Sequence, residues 1–447
     1  MTVQSYATGR TAARIAASIE ESIRDSRLAA GDVLLPIRDL ASELGVSAGT
    51  VAAAYRLLNA QGLTSADRRR GTRVRELRRD HAPLPRQARM LPPGVTDLST
   101  GNPDPALLPD LERSMRLVSY ERALYGSPVA HGGFLEEARR RFESDGIPAS
   151  SVTVAHGALD AIGRMLAANL SPGDRVAVED PGWASLIDLV ERLGLVVVPV
   201  ALDQEGPLAD SLWQVLAAGA RAAVVTARAQ NPTGAAISAD RAATLRELLA
   251  RYPGCLVIED DHACGLVETP LQSVVGTTGR YAAVRSVAKG YGPDFRLAAV
   301  AGDMATIGRL EASITGGTGW VSHLLQQVML AMWADPEVAG ILENASAIYR
   351  QRRLGLCDEL TRRGIEAQAA TGLNIWVPVG DEATAVSTLL TAGWRVAPGA
   401  MCRIVSEPAI RVTTAALPLE RSAECAEAIA GACLAAGFKG RRSASGG

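Results

Sequence analysis

Lys289 and Lys439 are the only lysines in a chain of 447 residues that carries 44 arginines. Any chemistry that needs a lysine amine therefore has two candidates. Lys289 lies in RSVAKGYGPDFRLAAV, on a loop expected between the strand-like runs YAAVRS and LAAVAG. A desolvated lysine amine is what a Schiff base to an aldehyde cofactor needs. Ser286, three residues earlier, offers a hydroxyl, and Arg296, seven residues later, offers a two-pronged fork for a phosphate. Asp260 closes the apolar run CLVIEDD, where a buried carboxylate could pair with a protonated pyridine nitrogen and hold pyridoxal phosphate in its electron-accepting form. Asn231, in ARAQNPTG, could hydrogen-bond the ring hydroxyl oxygen. Gly157, Ala158 and Leu159, in VTVAHGALDAIGRML, follow a strand and begin a helix, so their backbone N–H groups make an anion site. A strand-end aspartate is often only a cap and most lysines lie on the surface. The order and separation of these residues together are what make the set specific.

The elements that must position them read as an α/β domain. VTVAH, RVAVED, VVVPV, AAVVTA, CLVIED, YAAVRS and LAAVAG are short β-branched runs with helical patterns between most of them. That alternation predicts a mainly parallel sheet whose ligands sit beyond the strand C-terminal ends.

The first 80 residues read differently. Ile15, Ile19 and Ile23 predict a helix over about residues 10–27 with one buried stripe. Pro36 opens a second helix, IRDLASELG, with Ile37, Leu40, Ala41 and Leu44 facing inward and Gly45 stopping it. Ser47 caps a third, AGTVAAAYRLLNAQG, which closes at Gly62. LTSA and TRVREL then form a hairpin across an arginine-rich turn around Gly71. Helix, helix, tight turn, helix and hairpin is the order of a winged helix-turn-helix, which places its third helix in the major groove and its wing along the phosphates. The charge agrees, because residues 1–80 carry a net +4 and the remainder −6, with seven arginines between Arg68 and Arg79.

Length predicts about two to three domains. No apolar stretch approaches the ~20 residues of a membrane helix, and the first residues lack the apolar run of a signal peptide. The six cysteines lack metal-ligand spacing and read as reduced thiols in a cytoplasmic protein. The expected division is a winged helix over 1–76, a Pro/Arg-rich linker over 77–97, a cofactor domain over 98–437 and a flexible tail over 438–447.

LLPIRDLASELGVSAGTVAAAYRLLNAQGL followed by RRRGTRV resembles the DNA-binding domain of GntR-type regulators. The resemblance implies Arg38, Ser47, Thr50, Arg68, Arg69, Arg70 and Gly71 as contacts to double-stranded DNA. Ala48 stands where the family often has arginine, which implies base reading that is either weaker there or shifted to Arg38 and Arg56. GNPDP, VEDPGW, NPTG, EDDHA, SVAKGYGPDFRL and AIRVTTA resemble, in order, the fold-type I, class I/II aminotransferases. The whole chain is thus similar to the MocR family of pyridoxal-phosphate-dependent transcriptional regulators, and within it to the PtsJ-type subgroup.

That resemblance implies Lys289 as the Schiff-base lysine, Asp260 as partner of the pyridine nitrogen and Asn231 as partner of the 3′-oxygen. Trp183 packs on the ring, while Arg296, Ser286 and the amides around Ala158 hold the phosphate. Tyr125 matches a tyrosine that reaches the neighbouring subunit's phosphate, implying a head-to-tail homodimer. Arg411 matches the arginine that grips an amino-acid carboxylate. His262 replaces the usual tyrosine and is expected to hydrogen-bond the cofactor oxygen, and Ala288 replaces a common serine. The implied function is a regulator that senses pyridoxal phosphate or an amino-group ligand, the alternative being an active aminotransferase with an appended DNA-binding domain. Neutralising Arg68, Arg69 and Arg70 together is expected to weaken DNA binding on all sequences and to flatten its salt dependence in a salt titration. An unchanged affinity and salt slope would contradict the wing assignment.

Overall fold

In the computed structural model, which describes residues 6–25, 27–29, 31–60, 64–67, 71–74, 91–118, 120 and 122–437, packing divides the chain into two compact units. The first helix, Ala12–Arg24, is shorter than its apolar repeat suggests, because the Thr11 hydroxyl accepts from Arg14 N at 3.3 Å and sets its start. Ile15 and Ile19 are fully buried on its stripe. The second helix, Ile37–Leu44, buries Leu40 and Ala41 but leaves Ile37 exposed, a correction to the expected inner face. As the first helical residue, Ile37 has a side chain that tilts back toward the helix start and away from the core. Gly45, at φ 64°, closes this helix in the left-handed conformation that glycine tolerates.

Ser47 Oγ accepts from Thr50 N at 3.1 Å and caps the third helix, Ala48–Ala60, whose first residues are exposed. Strands Thr64–Asp67 and Gly71–Val74 pair antiparallel, with Asp67 opposite Gly71. Arg38 and Arg56 are exposed. Arg68, Arg69 and Arg70, residues 77–90 of the expected linker, and the expected tail with Lys439 lie outside the described residues.

The larger unit is built on an eight-stranded sheet. Its spatial order is Ser151–Ala155, Ala298–Gly302, Tyr281–Ser286, Leu256–Asp260, Ala222–Thr226, Arg175–Asp180, Val196–Asp203 and Gly206–Pro207. The Arg175, Ala222, Leu256 and Tyr281 strands are parallel, while Ala298–Gly302 runs against both its neighbours. Every residue of the Leu256, Tyr281 and Ala298 strands is buried, which is why their sequences are mainly apolar, with the polar residues gathered toward the C-terminal ends of the first two. A second, antiparallel sheet of Asn374–Pro378, Ala409–Thr413 and Ala397–Pro398 belongs with helices Pro336–Arg362, Glu382–Thr391 and Ser422–Ala435, around a core that includes Ile375, Ile410 and Ile429. None of the described helices is long and apolar enough to cross a membrane.

Truncating Ile19 to alanine is expected to cost the N-terminal unit about 2–5 kcal/mol, read from the urea unfolding midpoint and slope. A loss under ~1 kcal/mol would show that the isoleucine stripe is not its core.

Candidate functional site

The C-terminal ends of the sheet strands open onto a cavity of about 310 Å³. Its wall contains Gly157, Ala158, Leu159, Trp183, Asn231, Asp260, His262, Ser286, Lys289 and Arg296. Ten residues expected from widely separated motifs are thus brought to one place. Lys289 reaches it from a single helical turn, Ala288–Tyr291, rather than the expected loop. A turn of four residues is too short to leave a periodic signal in the sequence.

Lys289 Nζ donates to Gly101 O at 2.6 Å. Burial, then the nearby Arg411 charge, push its amine down to about 8, with Asp260 opposing them. The amine is therefore closer to its neutral, nucleophilic form than an ordinary lysine is at neutral pH.

Three consecutive acids, Glu259, Asp260 and Asp261, meet three different fates. Burial pushes the Glu259 carboxyl up to about 7, while Val274 N donates to it at 2.7 Å. Asp261 turns the other way and accepts two bonds from Arg228, at 2.9 and 3.0 Å, and one from Arg285 at 3.1 Å. Asp260 faces the cavity. Its Oδ2 lies 3.3 Å from His262 Nδ1, while its buried Oδ1 has no hydrogen-bond partner. His262 lines the cavity as expected, and one of its two ring nitrogens already has a partner. Its Nδ1 is turned to the Asp260 carboxylate, because a residue two positions beyond a strand-end acid can fold back onto it.

Arg411 Nη1 donates to Asn231 Oδ1 at 3.1 Å and Nη2 to Ser99 O at 2.6 Å. Ser286 Oγ accepts from Ala288 N at 3.3 Å. Tyr125 is not drawn into this pocket, being 96% exposed with its ring edge-on to Trp320.

Sequence reasoning missed the buried frame behind these groups. Glu179 accepts from Thr226 N, Thr226 Oγ1 and Gln230 Nε2, and burial pushes its carboxyl up to about 7. Gln230 also donates to Pro181 O at 2.8 Å and accepts from Thr233 N and Oγ1, so it links the turn before Trp183 to the turn carrying Asn231. Asp180 accepts from the backbone of Ile404, Val405 and Ser406 and from Ser406 Oγ. The only signal available was an acidic pair, Glu179–Asp180, ending an apolar strand.

Pyridoxal phosphate fits these residues. A buried, partnerless carboxylate oxygen on Asp260 is what a protonated ring nitrogen satisfies. At Gly157, with φ 93°, an added Cβ would lie 3.3 Å from Arg296 Nη2, so a side chain there would fill the space between the helix start and the guanidinium. Gly157, Ala158, Leu159, Ser286 and Arg296 would hold the phosphate, with Asp260, Asn231 and Trp183 around the ring.

Residues 93–429 match the aminotransferase class I and II family, and residues 11–74 match the gntR family of bacterial regulatory proteins. The chain is 42% identical over 395 residues to the vitamin B6 salvage pathway transcriptional repressor PtsJ of Salmonella typhimurium, covering 88% of this chain and 91% of that protein. It is 30% identical over 247 residues to the HTH-type pyridoxine biosynthesis transcriptional regulator PdxR of Corynebacterium glutamicum, covering 52% of each. Among solved structures, the multiple substrate aminotransferase of Thermococcus profundus shares the fold, with a TM-score of 0.69 at 20% identity over 77% of this chain and 92% of that one.

The depressed amine has a measurable sign. Folded Lys289 gives up its proton near 8 while an unfolded lysine keeps one to its ordinary 10.5, so this group makes folding more favourable as pH rises between those values. The rate at which cofactor-free protein captures pyridoxal phosphate is expected to rise through a midpoint near pH 8. Arg411→Met should move that midpoint upward and Asp260→Asn downward. A wild-type midpoint at the ordinary lysine value would contradict the placement.

Proposed function

The chain belongs to the aminotransferase class I and II family and carries a gntR-family head, and we propose that this DNA-binding regulator reads vitamin B6 status through its pyridoxal phosphate pocket. The observation that carries the reading is the short bond from Lys289 Nζ to Gly101 O. Bound in the pocket, pyridoxal phosphate supplies an aldehyde for the Lys289 amine and an electron-accepting ring. An amine engaged there gives up its bond to Gly101 O. Arg411 holds the same segment through Ser99 O, so both chemistry-bearing cations grip residues 99–101 by backbone carbonyls. In sequence, that segment directly follows the linker from the DNA-binding head. Loss of one grip on cofactor binding gives the segment two alternative states, which a sensor needs.

The other residues bind and orient. Asp260 pairs with the ring nitrogen, Asn231 with the ring oxygen, and Trp183 covers a face. Arg38, Ser47, Thr50, Gly71 and the wing arginines Arg68 to Arg70 contact operator DNA. Tyr125, exposed at 96%, reaches the partner of a head-to-tail homodimer, and the protein works in the cytoplasm. The long similarity to a repressor of vitamin B6 salvage supports pyridoxal phosphate as the signal.

A second reading, an amino-acid effector or substrate, is favoured by Arg411, whose guanidinium sits beside Asn231 as a carboxylate site would require. Titrating the affinity for an operator selected in vitro, first with pyridoxal phosphate and then with amino acids, separates the two. Pyridoxal phosphate alone is expected to change the operator Kd by about 10-fold or more, and Lys289→Ala to abolish that response while still binding DNA. An operator Kd unmoved by saturating cofactor would overturn B6 sensing, and multiple turnover with an oxo-acid acceptor would establish the enzyme.

A further inference from the structure

Beside the cofactor pocket lies a second cavity of about 280 Å³, lined by the Leu266–Pro270 turn, one face of the Pro336–Arg362 helix and residues 370–372. Arg353 forms part of its wall and is only 7% exposed. Its guanidinium donates to three backbone carbonyls, Nε to Ala369 at 3.0 Å, Nη1 to Gly372 at 2.9 Å and Nη2 to Ala370 at 3.1 Å. A guanidinium has five N–H donors, so this set leaves two. Among the described residues its hydrogen-bond partners are carbonyls alone, and the carboxylate that acts on this deeply buried charge, Glu268, does so without a hydrogen bond to it. Buried charges are ordinarily paired, because an uncompensated ion in a low-dielectric setting is costly.

One helical turn earlier, Arg350 lines the same cavity. Glu268 faces it at 3.5 Å, in a pair whose side chains are 59% and 56% exposed, which makes that bridge weak and displaceable. The ionisable lining is therefore two arginines against one glutamate. Ser346, 7% exposed, and Thr269 add hydroxyl-bearing side chains.

We propose that this cavity is a second ligand site, taking a small oxyanion, a phosphate or carboxylate group, against Arg353 and Arg350. It is separate from the cofactor's phosphate cradle at Gly157 and Arg296, and stands whether or not vitamin B6 is the signal. Burial, together with the neighbouring Arg350 charge, holds the Arg353 guanidinium below its ordinary value, and a bound anion would relieve both. The site also has a route to the first. Gly372 lines both cavities, and Thr371 Oγ1 donates to Gly234 O and accepts from Ala229 N, on the turn that carries Asn231. An anion gripped by Arg353 would stiffen the 369–372 loop, and with it one wall of the cofactor pocket.

The test is calorimetric titration of the full chain, with pyridoxal phosphate in excess to fill the first pocket, using inorganic phosphate and separately malonate at constant ionic strength. At least one probe is expected to bind saturably at one equivalent per chain. Arg350→Gln should weaken it about five-fold or more, and Glu268→Gln should tighten it by removing the competing carboxylate. Both substitutions lie on half-exposed side chains, so an unaltered visible cofactor band reports an intact fold. Failure of both probes to bind saturably overturns the proposal, as does a Kd that neither substitution moves.

Discussion

The site depends on a single constraint, a lysine amine taken out of water and set between a cation and an anion. Burial and Arg411 favour the neutral amine, Asp260 favours the charged one, and the balance falls near 8. Much of the surrounding structure serves to keep those charges where they are. Arg411 is anchored to Asn231 and Ser99, Asp260 to His262, and Lys289 to Gly101. Beneath them the acids next to Asp260 are dealt with separately, one paired to two arginines and one driven toward its neutral form. A strand end with three adjacent acids can therefore turn one carboxyl oxygen, Asp260 Oδ1, to a ligand while its neighbours are held elsewhere.

Much of this was legible in the sequence. All seven expected runs appear as strands of one sheet, most of them buried on both faces and so read as apolar runs, while Val196–Asp203 is only half-buried. Lys289 stood out through scarcity, and Asp260, Asn231 and Arg296 through their places after those runs. What stayed hidden depends on partners far apart in the chain. Glu179 takes its meaning from Thr226 and Gln230, and Asp180 from the backbone of Ile404 to Ser406, contacts that no local pattern encodes. His262 was visible as a residue type, but its direction toward Asp260 was not. Arg353 was missed for the same reason, because a helix-borne arginine ordinarily reads as surface.

The two parts of the chain obey different physical rules. The head presents an exposed helix start and a hairpin, with a net positive charge that attracts DNA before any base is read. The larger unit buries a few of its charges, Asp260, Asp261 and Arg285 among them, at and beneath the cofactor pocket. Near the start of the larger unit, Ser99 and Gly101 are held by their carbonyls, one by Arg411 and the other by Lys289. A regulator built this way needs no catalytic turnover to respond. In the proposed mechanism the response is a change in which groups that segment is bonded to.

The scarcity of lysine permits a direct test of the central assignment. Full-length protein incubated with pyridoxal phosphate is treated with borohydride, digested, and mapped by mass spectrometry. A single reduced adduct is expected on the peptide containing Lys289, and none on the peptide containing Lys439. Label on Lys439 alone, equal label on both peptides, or no adduct at all would contradict it.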